Sequence, residues 1–266
     1  MSSLTFNPPD QDVIYSTGLL SLDQRLGSDF AEEKGIPAGS IILILSPSNS
    51  NLSTLFVQKV LLNLIENEEN SRAHYLHSSR PQHILVKEFK AYNWDIEKHQ
   101  QSKKWEFIDM WHITSSHVAS SSKIGKIDIK RRTYLKQAYI KILQLQESDR
   151  AKCFSVVDNL LWLKEDNFDE DSSKLLDFFK EISDIITNIG GVHFFVLPKG
   201  ILDPVAENLI SSIVTGIIEF DRLIRGNRNQ DRLSITKMMG IAYKSELLDI
   251  TPDENEGLRI ESTAKI

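Results

Sequence analysis

Cysteine is almost absent: Cys153 stands alone among 266 residues. One cysteine cannot close an intramolecular disulfide, and it excludes a multi-cysteine zinc site. The expected setting is reducing and intracellular. Long apolar runs are missing too, and none approaches the roughly 18–20 residues that a membrane-crossing helix needs. The opening stretch, Met1 to Asp12, is polar and carries Pro8 and Pro9. It has neither the basic start nor the apolar centre of a secretory signal and reads as a loose tail, residues 1–12. The expectation is a soluble, cytoplasmic protein with no membrane partner. Positive charge is in deficit, with 31 Lys and Arg against 37 Asp and Glu and a net charge of −6. Such a chain is not a bulk electrostatic coat for nucleic acid, although a local basic patch is compatible with it. Hydrophobic residues make up 41% of the chain, enough for a sizeable core, so global disorder is excluded.

What is present is an alternation of strand and helix patterns. Ser40 to Leu45 is a continuous apolar run, as expected of a strand buried on both faces. A Ser/Asn-rich stretch follows, and then Leu55, Phe56, Val60, Leu61, Leu64 and Ile65 recur at helical spacing. Further strands are expected at 73–77, 105–110, 153–157, 192–197, 213–220, 232–237 and 258–261. Helices are expected near 82–92, 130–146 and 173–189, the last stopped by Gly190 and Gly191. This order predicts an α/β fold with a mostly parallel sheet, helices on both faces and antiparallel strands at one edge. No linker divides residues 13–266, which read as one domain.

Ligands in such folds sit at the C-terminal ends of the strands, so the first strand–loop–helix is the place to look for a phosphate site. A phosphate loop of the form G-x-x-x-x-G-K-[ST] uses glycines to wrap backbone N–H groups around the phosphates, Lys for their charge and Ser/Thr for Mg²⁺. Here Ser46 and Asn51 stand at the glycine positions and Leu52 at the lysine position. Only Ser53, at the hydroxyl position, fits. Leu52 removes the charge and is expected to point apolar surface at the phosphate. A capped helix start, with Ser53 or Asn51 as N-cap, accounts for the same residues without a ligand.

Several segments together resemble the KaiC-like branch of the RecA superfamily. Ser16-Thr17-Gly18-Leu19-Leu20-Ser21-Leu22-Asp23-Gln24-Arg25-Leu26-Gly27 is similar to that family's opening, and Gly35-Ile36-Pro37-Ala38-Gly39-Ser40 to its lead into the first strand. Tyr92-Asn93-Trp94-Asp95 looks like its G-W-D element, with Asn93 in place of Gly. Val156-Val157-Asp158-Asn159 resembles a Walker B strand. Lys237-Met238-Met239-Gly240 and Gly257-Leu258-Arg259-Ile260 resemble its closing motifs. The resemblance spans residues 13 to 261 and implies a RecA-like three-layer fold. Where active members carry a pair of acidic residues after the second strand, this chain reads His77-Ser78-Ser79-Arg80. A RecA-like fold with an eroded phosphate loop also resembles the accessory subunits of the Elongator complex, the fourth in particular.

These departures lead to the expectation of a pseudo-ATPase: a scaffold or regulator in a homo- or hetero-oligomer of RecA-like subunits, with no catalytic residue and no resident cofactor. An alternative keeps weak ATP or ADP binding with Mg²⁺, through Ser50, Asn51, Leu52, Ser53, Thr54 and Asp158, as a switch or slow ATPase. A second alternative is binding of tRNA or other nucleic acid through Lys126, Lys130, Arg131, Arg132 and Lys136, the one basic cluster. Arg225, Arg228 and Lys237 are candidates for contact with a neighbouring subunit, as the resemblance implies. A metal site is not expected. His74 and His77 face opposite sides of a strand, and His193 reads as a hydrogen-bonded core residue. The acids Asp166, Asp169, Glu170 and Asp171 suit a helix start.

Overall fold

Every residue from Ser40 to Ser46 is buried, and side chains alternate between two separate apolar clusters. Ile42 and Ile44 point to one face, and Ile41, Leu43 and Leu45 to the other. Period-two alternation with both sets apolar is what a central strand of a covered sheet requires. The computed structural model describes residues 12–115, 124–166, 172–225, 228–254 and 256–262. In chain order the elements begin with β1 (Ile14–Tyr15), α1 (Leu20–Asp23), β2 (Ile36–Pro37), β3 (Ser40–Ser46), α2 (Leu52–Asn67) and β4 (Ser71–His77). Next come α3 (Gln82–Ala91), α4 (Ile96–Gln101), β5 (Trp105–Asp109), α5 (Trp111–Ser115), α6 (Ile124–Asp149) and β6 (Lys152–Asp158). The chain continues through α7 (Ser172–Ile189), β7 (Val192–Pro198), α8 (Pro204–Ile213), β8 (Gly216–Arg225), β9 (Arg228–Met238), β10 (Leu248–Asp253) and β11 (Gly257–Ser262).

The large sheet runs β11-β10-β9-β8-β3-β7-β6-β4-β5. Strands β5 through β8 in that order are parallel, and β8 to β11 are joined antiparallel. Helices α2 and α3 cover one face through Phe56, Val60, Leu85 and Phe89. Helices α6, α7 and α8 cover the other through Tyr139, Ile142, Phe179, Ile182 and Ile210. The result is the three-layer α/β arrangement that the alternating pattern implied.

The short elements β1, α1, β2, α4 and α5 were not expected, and two longer ones depart from the sequence reading as well. The stretch expected as a strand from Ile213 begins as the end of α8, and β8 starts at Gly216. Asp203 caps α8, accepting from the N–H of Val205 and Ala206, and Pro204 sits in its first turn, a start signal that apolar periodicity alone does not show. Strand β10 was not expected, because Asp249, Pro252 and Asp253 dilute its pattern. Helix α7 stops where expected, with Gly190 at φ 70° and its N–H on the carbonyl of Ile186.

The opening motif folds into a knot. Asp23 accepts from the Thr17 N–H at 2.9 Å, the Thr17 hydroxyl at 2.7 Å and the Ser16 hydroxyl at 2.7 Å. Asn63 of α2 donates to the Thr17 carbonyl at 2.9 Å. Those side chains tie the entry segment to α2, which gives Ser16, Thr17 and Asp23 a structural task. Asn93 takes φ 57°, the left-handed region in which Asn replaces Gly at least strain. Trp94 beside it packs directly on Gly257 of β11.

Candidate functional site

Strand β3 ends at Ser46, and α2 begins six residues later, so the helix entrance opens at the C-terminal end of the sheet. Asn51 is the N-cap residue at φ −98°, outside the left-handed region, and its side chain makes no capping bond. The Ser50 hydroxyl instead accepts from the Leu52 N–H at 3.3 Å. The Ser53 hydroxyl turns inward and donates to the Ser46 hydroxyl at 3.0 Å. Ser53 and Thr54 are both buried. Leu52 does not face a phosphate position, contrary to the sequence reading: it is 2% exposed and belongs to the core under β3. An apolar side chain at a helix start gains more by burial than by lining a polar loop.

Two cations border this entrance, and each is committed to carboxylates. Arg222 of β8 donates to the Asn49 carbonyl at 3.0 Å while its guanidinium grips Asp231 through two bonds of 2.7 and 3.0 Å. Lys199 bonds its own backbone N–H to the Ser46 carbonyl. Its ammonium lies 2.6 Å from Asp221 and 3.2 Å from Glu219. Burial works against its charge, and these two carboxylates more than offset that, holding its pKa above the ordinary lysine range.

Asp158 ends β6 at 1% exposure. The Tyr75 hydroxyl donates to its Oδ2 at 2.6 Å, and Arg80 Nη2 at 3.2 Å. Arg80 also bridges to Glu88 of α3, with Nη1 at 3.1 and 3.3 Å from the two carboxylate oxygens. Gln58 of α2 donates to Glu88 at 3.0 Å. Burial first, and the Asp158 charge second, push the Tyr75 phenol well above its ordinary pKa, so it stays a donor. The sequence reading found Asp158 and noted the missing acids at 77–80. It missed that Arg80, with Glu88, Tyr75 and Gln58, closes around Asp158. A basic residue at a position that calls for a carboxylate was the available signal.

The remaining candidates are scattered. Lys237 sends its ammonium to the Ser211 and Ser212 carbonyls at the end of α8, at 2.9 and 3.3 Å. Arg225 and Arg228 form the last register pair of the β8–β9 hairpin, and their side chains lie outside the described residues. In the basic segment, Arg131 is 3% exposed. Arg132 is half-buried, and Lys136 pairs with Glu181 at 2.9 Å. The side chains of Lys126 and Lys130 lie outside the described residues, as do Lys123 and the acids Asp169, Glu170 and Asp171. His193 is a core residue: its Nε2 lies 2.6 Å from the Gly190 carbonyl and its Nδ1 2.7 Å from the Ser155 hydroxyl. Among the described residues no group of three His, Cys, Asp or Glu could hold a metal, and no helix is long and apolar enough to cross a membrane.

Comparison with known proteins bears on the family and the fold. The circadian clock protein KaiC3 of Synechocystis sp. (strain ATCC 27184 / PCC 6803 / Kazusa) is 30% identical over 83 residues, 31% of this chain. That match spans 16% of the relative's own length. The KaiC-like protein PH0186 of Pyrococcus horikoshii OT3 superposes with a TM-score of 0.68 at 15% identity, over 93% of this chain and 98% of that one. This second likeness is one of fold. A family model described as "ATPase: KaiC" matches residues 15–264, almost the whole of the sequence, and the chain therefore belongs to the KaiC family, with its RecA-like fold.

Proposed function

We propose that this chain is a KaiC-family subunit that does not hydrolyse ATP and works as a scaffold or regulator, in association with like or related RecA-type subunits. The observation that carries the reading is the α2 entrance. Leu52 is in the core, no lysine stands at the loop, and the two bordering cations are neutralised by Asp231, Asp221 and Glu219. A triphosphate brought there would meet carboxylates without a free counter-charge, and phosphoryl transfer depends almost wholly on such positioning and charge. The family implies Mg²⁺ with the nucleotide, and the residues present do not fit it: the Asp158 carboxylate is already bonded by a guanidinium. The opening motif and eroded phosphate loop, which resemble those of Elongator accessory subunits, are compatible with the same class of role, with tRNA as one partner of an assembly.

Equilibrium titration of ATP and ADP into the purified chain, with and without Mg²⁺, tests this alongside phosphate release. The expected result is no release above a buffer blank and no micromolar binding. Turnover above the blank that is abolished by Asp158→Ala overturns it. Micromolar Mg²⁺-dependent binding without turnover would replace the scaffold with a nucleotide switch.

A further inference from the structure

Strand β5 is the outermost strand on one side of the sheet, and a cavity of about 220 Å³ opens between it and α6. Strands β4, β6 and β7 separate it from β3, so it is no part of the α2 entrance. Its floor is apolar, lined by Ile108, Ala138 and Ile142. An apolar cavity of roughly 150 Å³ holds benzene, so this one has room for a molecule the size of a branched amino acid. The two sides differ in charge. Glu106 and Asp109 come from β5, and Tyr134, Gln137 and Lys141 come from α6, where they recur at helical spacing.

His74 Nδ1 lies 3.1 Å from Glu106 Oε2, and that bond above all holds the Glu106 carboxyl below the ordinary carboxylate range. Burial works against the Asp109 charge, but the backbone N–H and ring of His112 more than offset it and lower the pKa. Both acids are therefore ionised, and each keeps lone pairs for a further donor. Burial first, then the charges of Asp109 and Glu106, raise the Tyr134 phenol, so its hydroxyl stays a donor. Tyr134, Gln137 and Lys141 make no hydrogen bond or ion pair among the described residues. Three donors on the helix side and two acceptors on the strand side thus line one cavity, and no bond of the fold joins the two sets. Shifted titratable groups converging on a cavity with an apolar floor are the mark of a ligand site.

We propose that this cavity binds a free α-amino acid with an apolar side chain, its ammonium on Glu106 and Asp109 and its carboxylate on Lys141, Gln137 and Tyr134. A bare amine would meet the Lys141 charge, and a bare carboxylate would meet the two acids. A zwitterion satisfies both sides at once, and the apolar floor takes its side chain. The site stands apart from the α2 entrance, so the inference does not depend on whether nucleotide binds there.

The probe is L-leucine, titrated into the full chain and followed by calorimetry and by saturation-transfer nuclear magnetic resonance. Two analogues divide its charges: isopentylamine lacks the carboxylate, and isocaproic acid lacks the ammonium. L-leucine is expected to bind at millimolar concentration or below, and each analogue at least tenfold more weakly. Lys141→Met should weaken L-leucine at least tenfold and leave isopentylamine no weaker than before. Glu106→Gln should weaken L-leucine and isopentylamine together. Lys141 and Glu106 are both exposed, so neither change is expected to move the melting temperature by more than a few degrees. No binding of L-leucine at tens of millimolar overturns the proposal, as does equal binding by the native chain and Lys141→Met. So does N-acetyl-leucine methylamide binding as tightly as L-leucine, which would make the cavity a dock for an extended peptide at the β5 edge. Phosphate release by the native chain would defeat the function proposed above, whereas these titrations are silent on turnover, so the two failures are distinguishable.

Discussion

Leu52 stands one residue into α2, where a phosphate loop would carry its lysine, and the fold uses it in the core. Restoring the lysine therefore does not restore the loop. Leu52→Lys is expected to lose about 3 kcal/mol of stability in urea denaturation, because a charge would enter the core without a partner. The same variant should show no rise in melting temperature with Mg-ATP; a rise would show that the side chain can turn outward. That Leu52 lacks charge was legible in the sequence, and where it points was not. Asp158 was legible as the end of a strand. Its closure by Arg80 was not, since the pair is separated by 78 residues and only the parallel register of β4 and β6 brings them together. Ser53 shows the same limit: a hydroxyl at the right spacing is turned onto Ser46 by the loop that precedes it.

Among the elements, the strongest apolar runs were read directly, because burial on both faces leaves few polar residues to blur them. β3, β6 and β7 are of that kind, with six or seven residues buried in each. β10 and α8 were missed for opposite reasons: β10 alternates too weakly, and α8 announces itself through Asp203 and Pro204. The contact between Trp94 and Gly257 joins two motifs that are far apart in the chain and docks β11 against the cluster that α2 and α3 cover. A Cβ on Gly257 would lie 2.1 Å from the Trp94 ring, and φ there is +78°. Gly257→Ala is expected to lose on the order of 2–4 kcal/mol and to change the near-ultraviolet dichroism of Trp94. Gly200 has a similar φ of +73° and nothing within 4 Å of a Cβ. Gly200→Ala should therefore show only the backbone strain, about 1 kcal/mol. Equal losses at the two sites would show that the ring accommodates the methyl group.

Across the whole molecule, one sheet carries an apolar cluster on each face, and one face hides a polar chain. The Tyr139 hydroxyl lies 3.0 Å from Ser155, which bonds His193, which bonds the Gly190 carbonyl. Burial lowers the His193 pKa from 6.5 to about 4, and burial lowers that of His77 as well. The unfolded chain takes up these protons near pH 6.5, and the native protein does so only in stronger acid. Stability from His193 is therefore complete above pH 6.5 and is lost as pH falls towards 4, by on the order of 3 kcal/mol. Thermal melts between pH 7 and 4 should show the decline, and His193→Asn should flatten it. An unchanged slope in that variant would assign the acid sensitivity elsewhere.

The position of β3 has a consequence for how the chain is made. It precedes every other strand of the large sheet in the chain, yet its two neighbours are β7 and β8. The Ile41 N–H waits for Thr215, 174 residues downstream. Until then a wholly apolar strand has two unsatisfied edges, the condition in which nascent chains depend on chaperones and find the wrong partner most easily. Folding that closes such distant pairs is slow. Synthesis halted before β8 would leave a chain with every helix of the fold already made and its central strand open along one side.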